Sequence, residues 1–349
     1  MRATILDKPG SISLENRPDP TILVATDAIV KVVASCVCGS DLWGYRGISE
    51  VSSPRRMGHE FVGIVEAVGS GVTTLTPGQF VVAPFWASDG TCVHCLNGVT
   101  TSCTTGGLWG GDDGFGTPID GGQADWVRVP LADGTLLATP DLPDAELVPD
   151  LLTLSDVMAT GHHAAVAAHV VAGSTVVVVG DGAVGLCAVL AAARLGASRI
   201  IAMSRHGDRQ ALALAFGATD IVSARGADGV GEVRELLGGI GADCVLECVG
   251  TKESMDQAIR TTRPGGHVGY VGVPAGGPEL PIDYLFEHNV NIGGGIAPAR
   301  TYLPALMNAV LDGEIRPGAV FDLTLPLDQV ADAYAAMDDR RAIKVMLKP

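Results

Sequence analysis

The stretch that most narrows what this chain can fold into is Thr175-Val-Val-Val-Val179, which runs directly into Gly180-Asp-Gly182-Ala183-Val184-Gly185. A short, continuous apolar run of this kind belongs in a parallel sheet buried on both faces. The glycines follow it at once, and the Ala/Leu-rich segment Leu186–Leu195 reads as a helix. A lone G-x-G-x-x-G is weak evidence, but strand, glycines and helix in this order form the cradle of a dinucleotide pyrophosphate, where the backbone must come close to the ligand at a helix N-terminus. Strand and helix patterns then alternate, with strands expected at Arg199–Met203, Ile221–Val222, Cys244–Cys248, His267–Val273 and Val290–Ile292. That alternation predicts a doubly wound α/β sheet.

The strand Arg199–Met203 ends where an NAD-binding fold normally carries an acidic residue for the ribose 2′-hydroxyl. Here the chain reads Ser204-Arg205-His206. With no carboxylate to repel a 2′-phosphate, and with Arg205 able to pair with one, the expected cofactor is NADP(H).

Residues 1 to about 150 are patterned differently. Short β-branched runs at Ala28–Ala34, Phe61–Val68, Gln79–Ala83 and Asp125–Val129 are punctuated by Gly and Pro, which predicts a β-rich domain. At the far end, a helix around Leu303–Leu311, an extended Phe321–Pro326, a helix Leu327–Met337 and a strand Ile343–Leu347 are expected to return to this domain. With 349 residues, 47% hydrophobic, the chain has material for two cores. A formal charge of −16 argues against nucleic acid or an anionic membrane as partner. Without an apolar signal core at the N-terminus, and with every long apolar run broken by charge or Gly, a cytoplasmic protein is expected.

Eight cysteines in a cytosolic chain are better read as metal ligands or buried apolar residues than as disulfides. Cys36, Cys187, Cys244 and Cys248 sit in apolar runs and read as core. Cys92, Cys95 and Cys103 lie in a Gly-, Ser- and Thr-rich loop that offers no core to enter, so they suggest a closed structural zinc site. Asp89 is the favoured fourth ligand, because Asp89 to Cys92 repeats the spacing of Cys92 to Cys95; the neighbouring His94 would strain the chelate. Separately, Cys38-Gly39-Ser40-Asp41 and Gly58-His59-Glu60 offer a thiolate, an imidazole and a carboxylate, a donor set that a borderline-soft ion such as Zn²⁺ selects. Ser40 could exchange a proton with whatever binds there.

On Cys38-Gly-Ser-Asp41, Gly58-His-Glu-Phe-Val-Gly63, the Cys92–Cys103 lobe, Gly121-Gly-Gln-Ala-Asp125, Gly180–Gly185 and the closing Ile343–Pro349, the chain resembles the zinc-containing alcohol dehydrogenases of the medium-chain dehydrogenase/reductase family. The resemblance covers nearly the whole chain. It implies a GroES-like catalytic domain over residues 1–154 and 296–349, a Rossmann domain over 155–295, and a cleft between them. It adds Asp156, at the start of a helix, as a ligand to the catalytic zinc with Cys38 and His59, and makes Glu60 a ligand that swings in and out. Around the cofactor it implies Gly180, Gly182, Ala183, Val184, Gly185, Ser204, Arg205, Arg225, Val249, Val271 and Val273, with Lys344 meeting the pyrophosphate.

The same resemblance implies reversible oxidation of an alcohol to a ketone or aldehyde, with two zinc ions per chain, one catalytic and one structural, and a homodimer or homotetramer. Trp43, Phe85, Trp86, Trp109, Ile296 and Ala297 fall at pocket positions. Their apolar character favours a moderately hydrophobic substrate over a sugar or polyol. A zinc-free, non-catalytic nucleotide-binding relative is the alternative of another class, and it predicts loss of Cys38, His59 or Asp156. One departure stands out: Trp43 occupies the place where relatives often carry a His that ends the proton relay from Ser40. His162, His163 or a water chain are the candidates to substitute for it.

Overall fold

The computed structural model describes residues 1–50, 54–111, 118–274 and 279–349. It divides into two units, one of Met1–Asp156 with Pro298–Pro349, the other of Val157–Ala297. Among the described residues no helix is long and apolar enough to cross a membrane.

The first unit is built on the strand Ala28–Cys36, whose β-branched and small residues are buried along most of its length. Phe61–Val68, Trp126–Val129 and Lys344–Lys348 all pair with it antiparallel. The sheet continues through Phe80–Ala83 to Leu137–Ala138 on one side, and through Lys344–Lys348 to Phe321–Pro326 on the other. Phe61, Val65, Val81, Trp109, Val127 and Leu136 are among the residues of its main core. The C-terminal segment thus supplies sheet strands to a domain begun some 300 residues earlier. The helix expected over Leu327–Met337 is split: Leu327–Gln329 is a 3₁₀ turn, and the α-helix runs Val330–Asp338. The break falls at Gln329, whose backbone (φ −101°, ψ 25°) leaves the helical region.

The second unit holds a six-stranded parallel sheet in the order Asp220–Val222, Arg199–Met203, Thr175–Val179, Ala242–Glu247, Thr262–Tyr270, Asn291–Gly294. In order of appearance this is 3-2-1-4-5-6, with the reversal of direction beside the first strand, where open α/β sheets bind ligands at the carboxyl ends of their strands. Val176–Val178 are fully buried, as a doubly covered strand requires. The fingerprint helix begins at Ala183, with Gly182 as its N-cap. At Gly185 an added Cβ would lie 2.0 Å from the Gly180 carbonyl oxygen, so only glycine permits this close turn from strand to helix.

Candidate active site

Cys38 leaves the end of Ala28–Cys36, where the Val37 amide donates to the Val345 carbonyl at 3.1 Å. Gly58 turns the chain into His59 with φ +97°, and an added Cβ there would sit 2.4 Å from the Gln123 nitrogen. Gly122 N donates to Gly58 O at 2.7 Å and Gln123 N to Met57 O at 3.0 Å, so the loop at 121–123 clamps this turn. Asp156 immediately precedes the helix Val157–Ala167. Its position is pinned by Ser155, whose hydroxyl donates to Phe61 O at 3.2 Å and whose carbonyl accepts from Phe85 N at 2.9 Å.

These anchors bring one donor atom each from Cys38, His59, Glu60 and Asp156 to within 4.8 Å of one another. Cys38 Sγ lies 3.6 Å and His59 Nε2 3.3 Å from Asp156 Oδ2. Ser40 Oγ is 3.5 Å from His59 Nε2, which puts the hydroxyl beside the cluster. Glu60, fully buried, pairs through Oε1 with the equally buried Lys344 ammonium at 2.7 Å, and Lys344 also donates to Val37 O at 3.3 Å. Glu60 Oε2 has no hydrogen-bond partner. An orphaned buried carboxylate oxygen beside a thiol and an imidazole is costly for a protein alone. A divalent cation of Zn²⁺ type fits this sulfur, nitrogen and oxygen set and would offset that cost.

The electrostatics are those of a crowded buried cluster. Burial, then the Glu60 charge, pushes the Cys38 thiol up. Burial works against a charged His59, but Asp41, Cys38 and Asp156 together outweigh it and raise the imidazole well above its ordinary value. Burial also opposes a charged Lys344, yet Cys36 and Glu60 hold it protonated. The Lys344 ammonium, expected at the cofactor pyrophosphate, is 1% exposed and faces Glu60.

The second cluster is local. Asp89, Cys92, Cys95 and Cys103 each offer a donor atom within 4.8 Å of the others, and exposed His94 is not among them. Asp89 Oδ1 accepts from Thr91 N at 2.8 Å and Cys92 N at 2.9 Å, and Oδ2 accepts from Thr105 Oγ1 at 2.9 Å. Against a burial penalty, the Cys92 and Thr91 amides hold its carboxyl well below the usual carboxylate range. Backbone donors around Cys95 and Thr104 bring the Cys92 thiol down to about 6. Both features suit a loop that presents anionic donors to a metal, while burial and the neighbouring thiols push Cys95 up.

In the second unit, Gly180, Gly182, Ala183, Val184 and Gly185 form the strand-to-helix turn, and Val249, Val271 and Val273 follow the ends of neighbouring strands. Arg205 and Arg225 are exposed. Ser204 differs from expectation: it is 2% exposed, and its hydroxyl donates to Asp181 Oδ2 at 2.9 Å. Asp181, the acid inside the glycine turn, is also held by Arg209, 3.4 Å from Oδ1. The sequence reading gave no role to Asp181 or Arg209; an acid between the two glycines was the available signal.

Of the expected pocket residues, Trp109 is packed inside the first unit. It is 1% exposed, its indole donates to Pro84 O at 2.8 Å, and its ring meets Phe61 edge-on, so it belongs to the core. Trp43 lies on the short helix Asp41–Tyr45, Phe85 is buried, and Trp86 keeps a buried indole Nε1 without a partner. Ile296 is exposed and Ala297 buried in the second unit. His162 and His163 lie on the helix Val157–Ala167, where burial pulls His162 down to about 4 and lowers His163.

Three residues of this site carried no role in the sequence reading. Asp41 Oδ1 lies 3.3 Å from His59 Nδ1, Gln123 bonds Asp41, and Tyr334 bonds Gln123. Asp41 and Gln123 stand inside the motifs that carry the resemblance, which was the only signal for them.

Comparison with known proteins matches residues 24–141 to the alcohol dehydrogenase GroES-like domain and residues 183–312 to the zinc-binding dehydrogenase family model. Zinc-type alcohol dehydrogenase B of Aspergillus flavus is 32% identical over all of this chain and 81% of its own length. The solved alcohol dehydrogenase of Thermus sp. ATN1 superposes with a TM-score of 0.92 at 32% identity, covering 100% of this chain and 99% of that one. A zinc-binding dehydrogenase of Sinorhizobium meliloti 1021, solved bound to NADP, gives a TM-score of 0.85 at 27% identity, covering 100% and 99%. The chain belongs to the zinc-type alcohol dehydrogenases of the medium-chain dehydrogenase/reductase family.

Proposed function

We propose that this chain is an NADP(H)-dependent alcohol dehydrogenase or carbonyl reductase acting on uncharged, moderately hydrophobic alcohols, ketones or aldehydes. The observation that carries the reading is the convergence of Cys38, His59, Glu60 and Asp156 donors with the Ser40 hydroxyl beside them. When bound, Zn²⁺ supplies Lewis acidity at the substrate oxygen and the nicotinamide supplies the hydride-accepting or hydride-donating carbon. Cys38, His59 and Asp156 would hold the ion, with Glu60 poised behind them on Lys344. Ser40 relays the proton: its oxygen accepts the hydroxyl proton of an alcohol as its own proton passes on to water, and the reverse delivers a proton to a carbonyl oxygen. Trp43 cannot accept that proton, because an indole N–H is a donor only.

The NADP preference is supported by the missing acid after Met203, by exposed Arg205 and Arg225, and by Asp181 being paired with Arg209 and hydrogen-bonded by Ser204. The Sinorhizobium protein bound to NADP agrees with it. The substrate class rests on the apolar Trp43, Phe85 and Trp86. A second zinc in the Asp89, Cys92, Cys95, Cys103 lobe, a homo-oligomeric state and a cytoplasmic location complete the proposal. An activity screen of secondary alcohols, ketones, aldehydes and polyols with NADP⁺/NADPH against NAD⁺/NADH tests it. The expected result is turnover of alcohol–ketone pairs with NADP(H); a clear NAD(H) preference refutes the cofactor reading, and selective polyol turnover refutes the substrate reading.

A further inference from the structure

Behind the Cys38 cluster lies a chain of buried hydrogen bonds that none of the proposed chemistry uses. Asp41 stands between His59 and the protein interior. Its Oδ1 faces His59 Nδ1 at 3.3 Å, while Oδ2 accepts from Cys38 N at 3.0 Å and from Gln123 Nε2 at 3.4 Å. Gln123 is 0% exposed; its amide nitrogen also donates to Cys36 O at 3.0 Å, and its Oε1 accepts from the Tyr334 hydroxyl at 3.1 Å. Tyr334, likewise 0% exposed, comes from the helix Val330–Asp338, with its ring 5.4 Å from that of Tyr45.

The chain has a direction. The two carbonyl and carboxylate acceptors at Cys36 and Asp41 require the NH₂ face of Gln123, which leaves Oε1 for Tyr334, whose single proton is spent there. Asp41 then presents an acceptor to His59 Nδ1. With an ion bound, the imidazole would keep its proton on Nδ1, facing Asp41, and offer the Nε2 lone pair on the side of Cys38 and Asp156. One carboxylate touches both the His59 ring and the Cys38 amide, so two ligands from separate loops are fixed by a single group. Gln123 and Tyr334 fix that group.

We propose that Gln123 and Tyr334 are positioning residues for the catalytic metal: they lock Asp41, and through it the ring orientation of His59 and the amide of Cys38, so that the site is pre-organised before the ion arrives. This rests on the reading that Cys38, His59 and Asp156 hold the ion. A merely structural role, satisfying buried polar groups between a helix and a loop, predicts lower stability and nothing more. Positioning predicts a loss of metal affinity confined to this site.

The test challenges the zinc-loaded protein with a chromogenic chelator and follows zinc release per site, in wild type, Tyr334→Phe and Gln123→Glu. The lobe at residues 89–103 serves as internal reference, and the melting temperature of each variant is read in parallel. Tyr334→Phe removes one oxygen and leaves Gln123 Oε1 orphaned; about a tenfold weaker hold on the catalytic zinc is expected, with the lobe unchanged. Gln123→Glu replaces donors that face Cys36 O and Asp41 with an acceptor, and about a hundredfold loss is expected. Co²⁺ substitution adds a spectroscopic reading, since a loosened His59 shifts the ligand-field bands. If Tyr334→Phe melts lower but keeps wild-type affinity and spectrum, the positioning role is overturned; because it is a one-atom change, this arm stands even where Gln123→Glu does not fold. If His59→Ala removes no zinc, the site reading itself fails and takes the inference with it.

Discussion

The two metal-type clusters of this chain use similar donors and are built in opposite ways. The lobe draws Asp89, Cys92, Cys95 and Cys103 from fifteen consecutive residues, with no sheet strand among its ligands and its hydrogen bonds supplied by its own turns. The Cys38 cluster draws on loops at 38, 59–60 and 156, each pinned by backbone bonds to distant segments. It also rests on a buried outer layer: Asp41, Gln123, Tyr334 and Lys344. A local cluster needs only a closed loop to hold an ion, which suits a structural role. A cluster assembled across the fold can leave one side open and set each ligand separately, which suits chemistry.

The contrast breaks most directly at His59. His59→Ala is expected to lower kcat/KM for alcohol oxidation by at least about 10³-fold, or roughly 4 kcal/mol; steady-state assays check this. Next comes the outer layer. Lys344→Met strands the buried Glu60 carboxylate and is expected to cost about 3 kcal/mol of stability in urea denaturation. The lobe should behave differently: Cys95→Ser is expected to remove its zinc and about 2 kcal/mol of stability, while turnover of the folded fraction falls less than tenfold.

A control remote from both clusters has the smallest effect. The Arg199 guanidinium holds the Asp220 carboxyl at about 2. Both side chains are a quarter or more exposed, so Asp220→Asn should cost only about 0.5–1 kcal/mol. Because the folded value is depressed, this contribution is present above the ordinary carboxylate range and lost as pH falls through about 2. The gap between wild type and variant in denaturation should therefore narrow from pH 5 downward.

The same contrast explains how much was legible in sequence. The parallel sheet reads from Thr175–Val179 and the glycines because strand, turn and helix are contiguous. The lobe reads from spacing, since neighbouring residues decide its geometry. Asp156 could be reached only through family resemblance; alone it looks like a helix cap. The pairing of Lys344 with Glu60 joins positions 284 apart and leaves no local pattern. Lys344 carries a charge that sequence assigns to ligand or solvent, while burial assigns it to a carboxylate. Trp109 shows the limit of resemblance: its position in the family implies a pocket wall, yet its ring fills the core against Phe61.

The central claim is that the assembled cluster and the local lobe each hold one zinc, and that only the assembled one serves the chemistry. Elemental analysis of zinc per chain in wild type, His59→Ala and Cys95→Ser tests it most directly. The account predicts two, one and one, with alcohol oxidation lost only in His59→Ala. A wild type with a single zinc, or a His59→Ala variant that keeps two, would contradict it.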